Sequence, residues 1–124
     1  MAETWQQLAQ DNRTAAFELF GRRLWRSCVS RAYFAVFCAV AGAAEARGVQ
    51  MPAKREGPSH ANVDHLIQRN LGLSAPIARD LSSLAKTLYR QRVIADYFPS
   101  RHCLRADAQN ALEMLTDAFD MMQQ

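Results

Sequence analysis

The segment from about Arg22 to Arg47 constrains the fold more than any other part of the chain. Its middle reads AYFAVFCAVAGAA and is apolar on nearly every side. A helix that is hydrophobic all round is buried all round. We therefore expect a helix at the centre of a bundle, or one whose outer face meets a second subunit. Gly42 costs roughly 1 kcal/mol against Ala inside a helix, which indicates close approach of a neighbouring helix.

The rest of the chain predicts four further helices around this one. With 124 residues, 5 Gly and 4 Pro, the chain suits one all-α domain spanning residues 1–124. Thr4 is the expected cap of the first helix and Ser59 of the third, and residues 49–59 form a loop. Because the other loops are short, we predict an antiparallel up-and-down bundle of four long helices plus a short one. The predicted ranges are Thr4–Phe20, His60–Asn70, Ala75–Tyr97 and Arg105–Met122.

The composition indicates the cellular compartment and limits the classes of partner that we expect. Cys28, Cys38 and Cys103 form no CxxC pair, which favours free thiols, two of them buried, in a reducing compartment. The polar N-terminus does not resemble a signal peptide, and the uncharged stretch of the central helix is too short to span a bilayer. We therefore expect a cytoplasmic protein with no membrane partner. A net charge of +3 does not by itself imply nucleic acid.

One charged residue interrupts the core stripe of the fourth helix. Ile77, Leu81, Leu84 and Leu88 recur at helical spacing, and the next inward position is Arg92. Asp96 lies four residues further on, so the two side chains can pair. An uncompensated buried charge costs several kcal/mol. The pair is either a structural ion pair that fixes helix register, or part of a cleft or dimer seam where Arg92 meets an anion such as a phosphodiester.

Three segments together resemble the HEPN superfamily, most closely its short stand-alone members. They are SRAYFAVFCAVAGAAEARG in the second helix, the histidine of PSH before the third, and YRQRVIADYF in the fourth. The resemblance covers almost the whole chain and implies a helical bundle that commonly dimerises. Many relatives are RNA-cleaving toxins of prokaryotic toxin–antitoxin or defence systems, often encoded beside a small nucleotidyltransferase. Others bind nucleic acid or partners without catalysis.

The ribonuclease signature of that superfamily is an arginine followed, after four to six residues, by a histidine. Here Tyr97 stands at the shortest spacing after Arg92, and His102 follows ten residues after the arginine, beyond Pro99. Histidine suits the base that takes the 2′-hydroxyl proton, whereas tyrosine, with a pKa of about 10, does not. The resemblance therefore implies an RNA site, and the residues leave its catalytic competence open. We expect no metal or cofactor, since His60, Asp64 and His65 are too few for zinc.

The predicted site combines reacting and ligand-binding residues. Candidate catalytic residues are Arg92, Tyr97 and His102, and candidate ligand-binding residues are Arg31, Tyr33, His60 and Asp96. The arginines at 22, 23 and 26 are interpreted as a solvated helix start, with phosphate contact as the alternative.

Three functional hypotheses follow from these residues. The leading one is a homodimer that binds RNA or a nucleotide, with or without cleaving RNA. Its expected partner is a nucleotidyltransferase-type antitoxin. The alternative is a non-catalytic interaction or nucleotide-binding module in which the Arg92–Asp96 pair is structural. A small-molecule-binding bundle is a third hypothesis.

Overall fold

The computed structural model describes residues 3–49 and 60–123, and within these ranges the protein is built from helices alone. A short 3₁₀ turn at His60–Asn62 precedes the third helix. The predicted all-α bundle is confirmed, whereas the expected cap Ser59 and most of the predicted loop lie outside the described residues. The helices are α1 (Trp5–Gly21), α2 (Trp25–Ala46), α3 (Val63–Asn70), α4 (Ala75–Tyr97) and α5 (Arg105–Met122).

The helix bounds agree closely with those predicted from the sequence, with one exception at the start of α2. Thr4 caps α1, because its hydroxyl accepts from the Gln7 backbone N–H at 3.1 Å while Gln7 Oε1 accepts from the Thr4 N–H at 2.7 Å. The predicted bounds of α4 and α5 are confirmed. The predicted start of α2 at Arg22 is wrong, since the chain first makes a turn in which Arg23 adopts a left-handed φ of 61°. Helix α2 therefore begins at Trp25.

Helix α2 is the central element of the bundle. It packs against α1, α3, α4 and α5. A Cβ added at Gly42 would lie 2.9 Å from Gln6 Nε2 and 3.1 Å from Trp5 Cβ, so the predicted close approach is confirmed and the neighbour is α1. By length and composition alone α2 could cross a membrane, but 67% of its most apolar window is buried inside the bundle. It is therefore the core helix.

Helix α4 lies antiparallel to α2 and changes character along its length. Its first part contributes fully buried apolar side chains, among them Leu81, Ala85 and Leu88. Beyond Leu88 the only buried residue is Ala95, and polar residues take the positions that face α2. The second part of α4 meets the first part of α2, as contacts between Ser30 and Asp96 show. The core thus ends where the charged group predicted from the sequence begins.

The cysteines lie as predicted from their apolar surroundings. All three are free thiols, and Cys28 and Cys38 are buried in the core. Burial raises the pKa of each of these two thiols to about 11, with the neighbouring Cys103 adding to the shift at Cys28. They therefore stay protonated and pack as small apolar groups.

Candidate functional site

Arg92 is the centre of the site, and its predicted partner is in place. Its Nε lies 3.0 Å from Asp96 Oδ2, and its side chain is 13% exposed. The N–H does not align on the carboxylate as a hydrogen bond would, since Nε has no hydrogen-bond partner among the described residues. The same Asp96 oxygen accepts from the Ser30 hydroxyl at 3.1 Å. Asp96 therefore connects α2 to α4 and anchors one side of the guanidinium.

Two aromatic rings support the guanidinium of Arg92. Its Cζ lies 5.1 Å from the centre of the Phe34 ring and 5.4 Å from that of Tyr97. Contacts of this kind are attractive because a cation is drawn to the face of a π system. No hydrogen bond occupies the terminal amino groups of Arg92 within the described residues. The arginine is thus held in position while its planar donor fork keeps its capacity for an anion.

Tyr97 and Arg31 extend this group onto the surface. Tyr97 is 64% exposed, although it contacts Arg92. Arg31 donates from Nη1 to Asn12 Oδ1 at 3.0 Å, and its Cζ lies 5.8 Å from the Phe34 ring. The two arginines therefore share one aromatic ring. We call the group of Arg31, Phe34, Arg92, Asp96 and Tyr97 the Arg92 surface.

His60 joins this surface from the start of α3. Its ring centre lies 6.2 Å from Phe34, the ring that Arg92 also contacts. The Tyr33 hydroxyl lies 2.6 Å from His60 Nδ1. Burial and the neighbouring Tyr89 raise the pKa of Tyr33 far above its usual value, although Arg92 opposes the shift. The hydroxyl therefore keeps its proton, and its contact with Nδ1 is a hydrogen bond whose direction depends on the tautomer of His60.

His102 lies elsewhere. It is exposed in the turn between α4 and α5, and no contact joins it to Arg92 in the part of the chain that the structure describes. The structure thus brings six of the seven candidate residues around Phe34 and leaves His102 apart. The six are Arg31, Tyr33, His60, Arg92, Asp96 and Tyr97.

Arg26 corrects the interpretation of the basic cluster at the start of α2 as solvated. Its guanidinium donates to backbone carbonyls at the C-terminal end of α4, where the last carbonyls of a helix have no partner within the helix. It therefore fixes the turn that carries His102. The acceptors are the carbonyls of Ile94, Ala95, Phe98, Pro99 and Arg101.

Sequence reasoning missed the individual roles of Ser30 and Phe34. Both lie in the second-helix motif, four residues apart, and this spacing places them on one face of α2. The signal was present, but their partners lie on α4, and only the folded chain shows which face of α2 meets it. The same limit applies to Arg26, whose acceptors are backbone atoms.

A pocket of about 330 Å³ adjoins the Arg92 surface. It lies between the start of α3 and the middle of α4, and we call it the α3–α4 pocket. Its walls are mostly apolar, from residues such as Val63 and Ala85, with Tyr89 and His60 at one side and Asp64 among its polar groups. Within the described ranges no three His, Cys, Asp or Glu side chains group as a metal site would require. The mostly apolar walls of the pocket suit an organic ligand.

The helical topology and the surface described above define an all-helical bundle with an arginine held on aromatic rings between α2 and α4. The family model of the HEPN domain matches residues 2–123, which is nearly the whole chain. The protein belongs to the HEPN family. Comparison with curated proteins and with solved structures found no match.

Proposed function

We propose that this HEPN protein binds RNA through the Arg92 surface and works in a toxin–antitoxin or defence pair in the cytoplasm. The observation that carries the proposal is the guanidinium of Arg92, which lies over Phe34 and Tyr97 with its terminal amino groups not hydrogen-bonded within the described residues. Arg92 supplies the phosphate contact. The 64% exposed Tyr97 supplies a stacking face for a base.

Single-stranded RNA fits this surface better than a duplex. An exposed ring beside a cation recognises an unstacked base next to its own phosphate, and duplex RNA does not offer such a base. Arg31 also contacts Phe34 and adds a second positive charge for a neighbouring phosphate. Two phosphates and one base form the smallest ligand that uses all three side chains.

Cleavage requires a base near the 2′-hydroxyl, and the described geometry supports binding more strongly than cleavage. Tyr97 is a poor base at neutral pH. His102 makes no contact with Arg92 within the described ranges. His60 Nδ1 lies 2.6 Å from the Tyr33 hydroxyl, so one of its two ring nitrogens is already engaged in a hydrogen bond. We therefore propose binding as the primary activity, with cleavage slow or absent.

The second candidate is a non-catalytic interaction module, and one observation favours it. Ser30, Asp96 and Arg92 form a continuous polar chain between α2 and α4, as a structural pair that sets helix register would do. In this case Arg92 contributes to folding and has no ligand.

Binding of a fluorescent single-stranded RNA decides between the two, measured by anisotropy with the variant Arg92→Gln. The matched control is Arg79→Gln, which removes the same charge from an exposed position of the same helix. Loss of a charged hydrogen-bonding group should weaken binding by about tenfold or more, whereas the control should change it less than twofold. Absence of RNA binding by the wild type, or equal weakening in both variants, would favour the interaction module. Gel analysis of the same RNA after incubation measures cleavage.

Homodimerisation is part of the proposal, as is a nucleotidyltransferase-type partner. A dimer presents two Arg92 surfaces to one RNA, which raises the effective affinity without new contacts. Light scattering on the purified protein measures its mass in solution. A strictly monomeric species at the protein concentrations used for RNA binding would remove the dimer from the proposal and leave the single surface to be tested as above.

A further inference from the structure

The α3–α4 pocket combines flat walls with one carboxylate. Tyr89, 36% exposed, presents part of its ring at the mouth, and its centre lies 5.3 Å from that of His60. Buried Val63 and Ala85 supply apolar wall. A volume of about 330 Å³ lies at the small end of the range for ligand sites, about 300–1,000 Å³. The pocket therefore suits one planar ring system rather than an extended ligand.

The polar groups of the pocket form an ordered set. The Ser82 hydroxyl donates to Asp64 Oδ1, which fixes the orientation of the carboxylate. Lys86 Nζ lies 3.5 Å from the same oxygen. Ser82 and Lys86 both engage Oδ1, and a carboxylate has about four acceptor sites, so the pocket presents one cationic donor beside a carboxylate that can still accept from a ligand. A ligand that fits this order carries one acceptor followed by two donors along one edge.

Guanine has that order of groups. Its Watson–Crick edge runs from O6, an acceptor, to N1–H and then N2–H, both donors. Adenine and cytosine each offer an amino donor followed by an unprotonated ring nitrogen, which a carboxylate repels. Uracil offers only one donor between two acceptors. Of the four RNA bases, guanine alone places two neighbouring donors where a carboxylate can accept both.

The pocket and the Arg92 surface are continuous along α4. Tyr89 and Arg92 are three residues apart, which is about 4.5 Å along a helix axis. His60 contacts both Tyr89 and Phe34, so its ring lies between the pocket mouth and the platform under Arg92. Arg90 lines the pocket on the same helix. A nucleotide with its base in the pocket therefore has cationic side chains available for its phosphate.

We propose that the α3–α4 pocket binds a guanine base, with Asp64 as the residue that determines the base preference. This inference rests on the proposed RNA binding and assigns it a base preference. Asp64 accepts from N1–H and N2–H, Lys86 donates to O6, and the Tyr89 ring stacks on the purine at the mouth. Ser82 is a positioning residue that orients the Asp64 carboxylate.

Calorimetric titration of the full chain with GMP, IMP, AMP, CMP and UMP tests the pocket directly. A bidentate contact to a base edge discriminates by about five- to 150-fold. We therefore expect GMP to bind about five- to 150-fold more tightly than AMP, CMP or UMP. IMP, which lacks the 2-amino group, should fall between GMP and AMP. Equal binding of GMP and AMP by the wild type would overturn the proposal.

Asp64→Asn is the decisive variant, because it keeps the shape of the side chain and replaces one acceptor by a donor. It should abolish the preference for GMP over AMP. Lys86→Gln removes the ion pair but keeps the carboxylate, so it should weaken GMP binding and reduce the preference over AMP by less than Asp64→Asn does. Asp120→Asn, an exposed carboxylate on α5, should change neither. Circular dichroism and the thermal midpoint establish that each variant is folded.

The outcomes separate this inference from the proposed function. RNA binding that depends on Arg92 but shows no base preference would remove the guanine pocket and keep the proposed function. Preference for GMP that depends on Asp64, in a protein that does not bind RNA, would keep the guanine pocket and remove the proposed function. If Lys86→Gln and Asp64→Asn lose the preference equally, the carboxylate acts only through its ion pair, and Asp64 does not determine the base.

Discussion

Two arginines lie at the C-terminal half of α4, Arg92 within the helix and Arg26 against it from α2, and they have different kinds of partner. Arg26 is surrounded by backbone carbonyls, and its guanidinium donates to five of them where the helix ends. Arg92 has one carboxylate at Nε and two aromatic rings against its plane, and no hydrogen bond occupies its terminal amino groups within the described ranges. Arg26 thus terminates a helix, whereas Arg92 is held ready for an anion.

The difference shows which arginines in a basic protein are candidates for function. A guanidinium whose donors all meet backbone carbonyls contributes to folding, and an added phosphate would have to displace those carbonyls. A guanidinium held by rings loses none of its donors to its support. Side-chain charge is identical at the two positions, so only the partners distinguish them. Substitutions at and around the two arginines test this distinction.

Arg26→Ala should reduce the free energy of unfolding by about 2–3 kcal/mol, because it removes charged hydrogen bonds and leaves helix-end carbonyls without partners. Urea denaturation followed by circular dichroism measures the loss. Arg22→Ala, an exposed arginine of the preceding turn, is the control and should change stability by less than about 0.5 kcal/mol. An equally small effect of Arg26→Ala would mean that the two arginines are used alike.

Alkaline titration tests whether the Arg26 end of the bundle is closed to water. The folded pKa of Cys28, about 11, exceeds its ordinary value of 9.0, and burial is the main cause. Because a raised pKa favours the protonated thiol in the folded state, its stabilising effect is complete below pH 9 and is lost as the pH rises towards 11. Two pH units correspond to at most about 2.7 kcal/mol.

The pH dependence of the thermal midpoint between 9 and 11 measures this loss. Cys28→Ala should flatten the curve, whereas Cys103→Ala, at a half-buried position, should flatten it less. An unchanged curve in Cys28→Ala would show that water reaches this thiol. The Arg26 end of the bundle would then be as accessible to water as the Arg92 surface is.

Tyr97→Ala should weaken RNA binding by about 1–3 kcal/mol, the contribution of one base stacked on one ring. Stability should change little, because Tyr97 is 64% exposed. Tyr97→Phe keeps the ring and should bind RNA as the wild type does. If the phenylalanine variant abolishes a cleavage activity while binding persists, the hydroxyl takes part in catalysis and Tyr97 is more than a stacking surface.

The fold and half of the site follow from local patterns in the sequence. The Arg92–Asp96 pair was predictable because both residues lie on one helix and the four-residue spacing fixes their proximity. The contact between Tyr33 and His60 was not, since 27 residues and a change of helix separate them. The role of Arg26 was not predictable for a similar reason. A pattern of side chains does not indicate contacts with backbone carbonyls at the end of a distant helix.

The α3–α4 pocket lies beyond sequence reasoning for a different reason. Helical periodicity indicates which residues face the core, but it does not indicate where two helices leave a space. Asp64 follows buried Val63 at the start of α3, and Ser82 is a buried hydroxyl in the core stripe of α4. The two residues form a polar group only because α3 and α4 pack together, which places the Ser82 hydroxyl against the Asp64 carboxylate.

The salt dependence of RNA binding tests the central claim most directly. For single strands the logarithm of the binding constant falls with the logarithm of salt concentration by about 0.7 per phosphate neutralised. Arg92→Gln should therefore bind more weakly and with a slope shallower by about 0.7 per site, while Arg79→Gln should keep the slope of the wild type. An identical slope for the wild type and Arg92→Gln would contradict the account, because Arg92 would then contact no phosphate.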